Sequence, residues 1–100
     1  MLLKKMKILK SKKNYINKQI FQINDLSYVT RMTPLKELLD GEDMIEPIKV
    51  LKHEISKNKR IGANGVNFEE KKYSVWEGNQ RIQAALQLGY THIEGIIVNE

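Results

Sequence analysis

The stretch Tyr73-Ser74-Val75-Trp76-Glu77-Gly78-Asn79-Gln80-Arg81-Ile82-Gln83-Ala84-Ala85, with Leu88-Gly89-Tyr90 and Ile93 to Val98 behind it, decides the fold. Tyr73 to Trp76 is rich in aromatic and β-branched residues and reads, with Lys72, as a strand. Glu77-Gly78 turns the chain. From about Asn79 to Leu88 apolar residues recur at helical spacing, with Ile82, Ala85, Leu86 and Leu88 on the expected inner side. Gly89 follows as the residue that stops a helix in the left-handed conformation. Ile93 to Val98 closes the segment as a strand. The unit is therefore strand, tight turn, helix, strand.

Working upstream, residues 56–72 hold several Gly, Asn and charged positions and read as an extended hairpin loop. Glu46-Pro47-Ile48-Lys49-Val50-Leu51 reads as a strand with Pro47 at its start. Thr33-Pro34 is expected to open a two-turn helix, Thr33 as N-cap, with Leu35, Leu38 and Leu39 apolar and Asp40-Gly41 ending it. Asn24 to Ser27 reads as a turn, and Lys18 to Ile23 as a short strand. The expected architecture is one small α+β domain, a mixed β-sheet with short helices, spanning residues 18–100 behind a basic segment at 1–17.

Composition narrows the function. The chain has 100 residues, 41% of them apolar, and no cysteine, which excludes disulfides, thiolate nucleophiles and Cys-ligated zinc. No run approaches the roughly 18 apolar residues of a membrane span, so a cytoplasmic protein without a membrane partner is expected. The net charge is +5, and residues 1–50 carry most of the excess. Lys4, Lys5, Lys7, Lys10, Lys12 and Lys13 stand together without an acid. Such a cluster can follow a phosphate backbone, which makes DNA a candidate partner, or it is a solvated end.

The turn is the candidate site. Gly78 has no Cβ to block a ligand, and the first amides of a helix are unpaired donors that favour an anion. Arg81 adds a planar fork suited to phosphate oxygens, and Asn79 can cap the helix or reach a ligand. The same residues also fit a plain turn, in which Gly78 bends the chain, Asn79 caps and Arg81 is a surface charge. Trp76 and Tyr73 read as sheet packing rather than base-stacking groups. His53 and His92 stand alone, without partners at metal-ligand spacing.

The segment Glu77 to Ala85, with Leu88-Gly89-Tyr90 and the closing strand, resembles the signature of the ParB/sulfiredoxin superfamily; Glu46-Pro47-Ile48-Lys49-Val50 resembles its Pro-Ile-x-Val strand. The likeness covers residues 18–98 and is most specific over the last thirty or so. It implies that Gly78, Asn79, Gln80 and Arg81 hold the phosphates of a nucleoside di- or triphosphate, CTP or ATP, with Mg²⁺ where needed, and that Glu46 lies near the pocket. Arg31 matches a pocket-lining position loosely. Asn79 and Gln80 replace the cysteine and histidine of sulfiredoxins, so sulfinic-acid reduction is excluded on chemical grounds. They also replace the Glu and first Arg of the ParB box, which weakens triphosphate binding. The chain stops soon after the last strand, so the resemblance implies a stand-alone ParB-like N-terminal domain of a phage or other mobile element. Two rival functions follow: a phosphotransferase or nuclease using Glu77 and a divalent metal, and a non-catalytic module that binds a protein partner or a second copy as a homodimer.

Overall fold

The structure is a computed structural model that describes residues 6–53 and 71–98. Lys4, Lys5 and most of the expected loop at 56–72 lie outside the described residues.

Six strands form one mixed sheet: β1 (Ile8–Leu9), β2 (Lys18–Gln22), β3 (Leu26–Ser27), β4 (Ile48–Lys52), β5 (Tyr73–Glu77) and β6 (His92–Ile97). Helix α1 is Lys36–Leu39 and α2 is Asn79–Gln87. The strands run in the order β1-β6-β4-β5-β3, with β2 also on β6. β2 lies antiparallel along residues 92–96 of β6, whereas β1 meets 92–93 and β4 meets 95–97, both parallel. β1 and β4 therefore follow one another along the other edge of β6. β5 pairs antiparallel with β4 and parallel with β3. The domain is thus the expected small mixed α/β unit.

The core gathers Phe21 and Ile23, Leu26, Leu38, Ile48 and Val50, Ile82, Ala84, Ala85 and Ile93. Alanines at 84 and 85 let α2 lie close to the sheet; both are fully buried, whereas Leu86, expected on the inner side, is exposed. The end of α2 is as expected. Gly89 has φ +83°, its N–H reaches the Leu86 carbonyl and the Tyr90 N–H reaches Ala85, the paired bonds of a Schellman stop. Phe21 meets Tyr73 edge-on at 5.2 Å, the sheet packing expected of Tyr73.

Four expectations need correction. First, the boundary at 17/18 falls inside the fold. β1 joins the sheet, Leu9 is buried, and Lys12 N–H and Lys13 N–H bond the carbonyls of Met44 and Ile45. Two residues of strand show no periodicity, so the lysines around them masked it. Second, α1 starts at Lys36, with Leu35 rather than Thr33 as its N-cap. The Leu35 N–H bonds the Gln80 carbonyl at 3.0 Å, and this tertiary bond holds residue 35 extended where the local signal asked for helix. Third, Leu26-Ser27 is strand β3, not turn; the turn is the 3-10 segment Ile23–Asp25 that ends β2 one residue early. Leu26 is fully buried and pairs with Tyr73, so burial outweighs the polar neighbours. Fourth, β4 begins two residues later than expected, at Ile48, because the Glu46 and Pro47 carbonyls bond Arg81 instead of a neighbouring strand.

A buried ion pair ties the N-terminal arm down. Glu94 on β6 meets Lys18 at 3.2 Å, their side chains 12% and 14% exposed, and its Oε1 accepts the Ser11 N–H at 2.6 Å. Burial pushes the Glu94 carboxyl up, but the bonds from Ser11 and Lys18 outweigh it and hold the group below the usual carboxylate range. A lowered folded value means that this stabilisation is complete above the unfolded carboxylate pKa and fades as pH falls through the folded one. Urea melts of Glu94→Gln should therefore show a loss of about 1.5–3 kcal/mol at pH 7, and a smaller difference from wild type at pH 3. An equal difference at both pH values would refute the role of the charge.

Candidate functional site

Strand β5 delivers the chain to Gly78, which has φ +118° and is the N-cap of α2. A Cβ built there would stand 2.6 Å from Ile48 Cγ2 and 3.3 Å from Arg81 Nε. The missing side chain thus lets the turn sit on Ile48 rather than admitting a ligand from that side, a correction to the sequence reading. Gly95 on β6 makes the same close approach to Ile48 from the sheet.

Asn79 does not cap α2. No side chain does. The Asn79 Oδ1 instead accepts the Val29 N–H at 2.9 Å, and Gln83 Nε2 donates to the Val29 carbonyl at 2.8 Å. Together they clamp the loop after β3 onto the helix. Among the described residues no acceptor meets the amides of Asn79, Gln80 or Arg81, whereas Ile82 N–H already bonds the Gly78 carbonyl. Three N–H groups therefore stand open at the positive end of the helix.

Arg81 is half buried. Its Nη1 donates to the carbonyls of Glu46 at 2.6 Å and Pro47 at 3.1 Å. Burial lowers the guanidinium pKa, opposed by the charges of Glu77 and Glu46, and the group remains a cation. Nε and Nη2 have no acceptor among the described residues. One side of the fork is structural and the other is open. Arg81 also reaches a groove of about 570 Å³, floored by Leu35, Leu38 and Met44 and rimmed by Glu37, Glu42, Asp43 and Glu46. These four acids outnumber the two cations that line the groove, Lys12 and Arg81, which disfavours phosphate in the groove itself.

Glu77 pairs with Lys49 across the β4–β5 irregularity at 3.1 Å. Glu46 pairs with Lys13 at 3.1 Å and accepts from the Tyr15 hydroxyl at 3.3 Å; the Lys13 hydrogen bond and charge hold its carboxyl below the usual range. The structure thus brings Glu46, Glu77, Gly78, Asn79, Gln80 and Arg81 to one end of the sheet, across more than thirty residues of sequence. Arg31 is exposed, and among the described residues no hydrogen bond or ion pair joins it to that cluster. Both carboxylates already hold a lysine, and no group of three His, Asp or Glu gathers among the described residues. Two carboxylates each paired with a lysine are a poor donor set for a protein-held Mg²⁺. His53 bonds the Ser74 hydroxyl at 2.6 Å and His92 the Thr91 hydroxyl at 2.7 Å.

Trp76 departs from expectation. It is 61% exposed, one residue before Glu77, where the strand irregularity takes it out of register. The only signal for this was its place at the strand's end, next to the turn. The basic cluster also differs. Lys7 Nζ donates to the Leu88 carbonyl at 2.9 Å and lies over the Tyr90 ring at 4.5 Å, Lys12 pairs with Asp43 at 3.1 Å, and Lys13 holds Glu46; Lys10 is exposed. Exposed pairs of this kind contribute only about 0–1 kcal/mol each, so these lysines can still exchange partners.

Fold and site define a small mixed α/β domain with an uncapped, arginine-flanked helix N-terminus. Comparison with family models, curated proteins and solved structures returns no match to this chain.

Proposed function

We propose that the chain is a nucleotide-binding domain of the ParB/sulfiredoxin type, working in the cytoplasm and near DNA. The observation that carries this reading is the first turn of α2, where the amides of Asn79, Gln80 and Arg81 and the Nε and Nη2 of Arg81 have no acceptor among the described residues. Phosphate oxygens accept from the amides of Asn79, Gln80 and Arg81, and the open side of the guanidinium takes a second pair of oxygens. Lys49, paired with Glu77, offsets the charge of that carboxylate beside the turn. The exposed indole of Trp76 offers a face for the base, since stacking on an aromatic is worth about 1–3 kcal/mol and tolerates any base. Mg²⁺ arrives as the counter-ion of the nucleotide. A phosphotransferase or nuclease role would require Glu77 to leave Lys49, and no observation favours it.

The test uses the single tryptophan of the chain. Titration with ATP and with CTP should quench its fluorescence saturably, and calorimetry should give the same constant. Arg81→Ala should weaken binding roughly 10- to 150-fold, from the loss of a charge-assisted contact worth about 1.5–3 kcal/mol. It should also lower stability by about 1–2 kcal/mol, because the Glu46 and Pro47 carbonyls lose their donor. Arg81→Lys should restore part of the affinity, since it keeps charge without the fork. Identical affinities in all three proteins would reduce Arg81 to an anchor of the β4 start.

A further inference from the structure

We infer that the outer edge of β2 is a self-pairing surface, on which a second copy of this chain docks antiparallel about Ile20. Ile23 N–H bonds the Thr91 carbonyl at 3.0 Å, and β2 runs on in register from Gln22 opposite His92 to Lys18 opposite Ile96. The alternation of an antiparallel ladder then turns the backbone groups of residues 19, 21 and 23 toward β6 and those of 18, 20 and 22 outward. Among the described residues β2 pairs with β6 alone, so this outward row has no strand beside it. The Lys18 N–H is taken by the Tyr15 carbonyl at 3.1 Å, and among the described residues the Lys18 carbonyl has no donor on its outer side.

Edge strands ordinarily block such pairing with an outward charge, a proline or a bulge. β2 has none of these. Its single charge, Lys18, is turned onto Glu94 at 3.2 Å and is only 14% exposed. The register about Ile20 is self-complementary. Ile20 meets Ile20 of the second copy and exchanges both backbone bonds with it. Gln22 N–H meets the Lys18 carbonyl at each end, and no like charges stand opposite. Ile20, 48% exposed in the single chain, is covered by its own counterpart. Five residues of edge bury less than the roughly 1,200 Å² of a standard interface, so the dimer is weak and concentration-dependent.

The chain has no cysteine, so Ile20→Cys introduces a single thiol. Hydrogen-bonded antiparallel partners sit about 5.5 Å apart at Cα, within reach of a disulfide. Under mild oxidation Ile20→Cys should form a covalent dimer at least about tenfold faster than Gln87→Cys, an exposed position on α2, because pairing raises the local thiol concentration. Ile20→Lys should shift sedimentation toward monomer at high protein concentration without lowering the melting temperature, since the side chain points outward. If that variant unfolds, the cysteine rates decide alone. Equal cross-linking rates, or a wild-type chain that sediments as monomer up to about 1 mM, would overturn the pairing.

Discussion

A chain lacking residues 1–10 should lose at least about 4 kcal/mol of stability and stay largely unfolded at 37 °C. The lysines of this segment suggest a dispensable arm, but the sheet uses the backbone between them. Removing it strips β1 from β6 and uncovers the core around Leu9, and loss of one buried leucine alone costs about 2–5 kcal/mol. The N–H groups of Thr91 and His92 both bond the Lys7 carbonyl and would lose their acceptor. The last turn of α2 would lose the Lys7 ammonium at Leu88. A domain of this size has only about 5–15 kcal/mol to lose. The charges are separable from the strand. Lys10, Lys12 and Lys13 changed together to Gln should keep the melting temperature within a few degrees while weakening DNA binding and flattening its salt dependence. A truncated chain that melts like the full one would show that β1 adds nothing.

Gly78→Ala should destabilise the domain by about 3–5 kcal/mol, against about 1–2 kcal/mol for Gly89→Ala. Both glycines have positive φ, +118° and +83°, so both substitutions strain the backbone. They differ in what surrounds them. Nothing lies within 4 Å of a Cβ at Gly89, whereas at Gly78 that atom falls 2.6 Å from Ile48 Cγ2 and 3.0 Å from Ile48 Cβ. Ile48 is fully buried and cannot retreat, because Gly95 presses it from the sheet. Denaturant melts of the two variants measure the difference directly. Equal losses would mean that the backbone conformation, not the fit against Ile48, fixes glycine at 78.

The unit from β5 to β6 was legible in the sequence because each part carries a local signal. β-formers end at a glycine, a helix follows with two alanines toward the core, and a second glycine stops it. The parts that escaped are set by contacts distant in sequence. β1 and β3 are two residues each, too short for periodicity, and exist because β6 and β5 offer them a partner. The start of α1 yields to a bond from Leu35 to Gln80. At the site, the sequence identifies the residues but not their partners. Asn79 looks like a cap and instead holds the loop at Val29. Arg81 looks free and spends one nitrogen on two carbonyls. Trp76 looks like sheet packing and faces outward at an irregularity that no pattern of residues announces.

The central claim is that phosphate binds at the open first turn of α2. It is tested most directly by following backbone amide resonances of the ¹⁵N-labelled chain while inorganic pyrophosphate is added. The claim predicts that the amides of Asn79, Gln80 and Arg81 shift most, saturably and together, with the Arg81 Nε–H moving alongside them. Shifts confined to the lysines of residues 7–13, with the three amides unmoved at saturation, would contradict it.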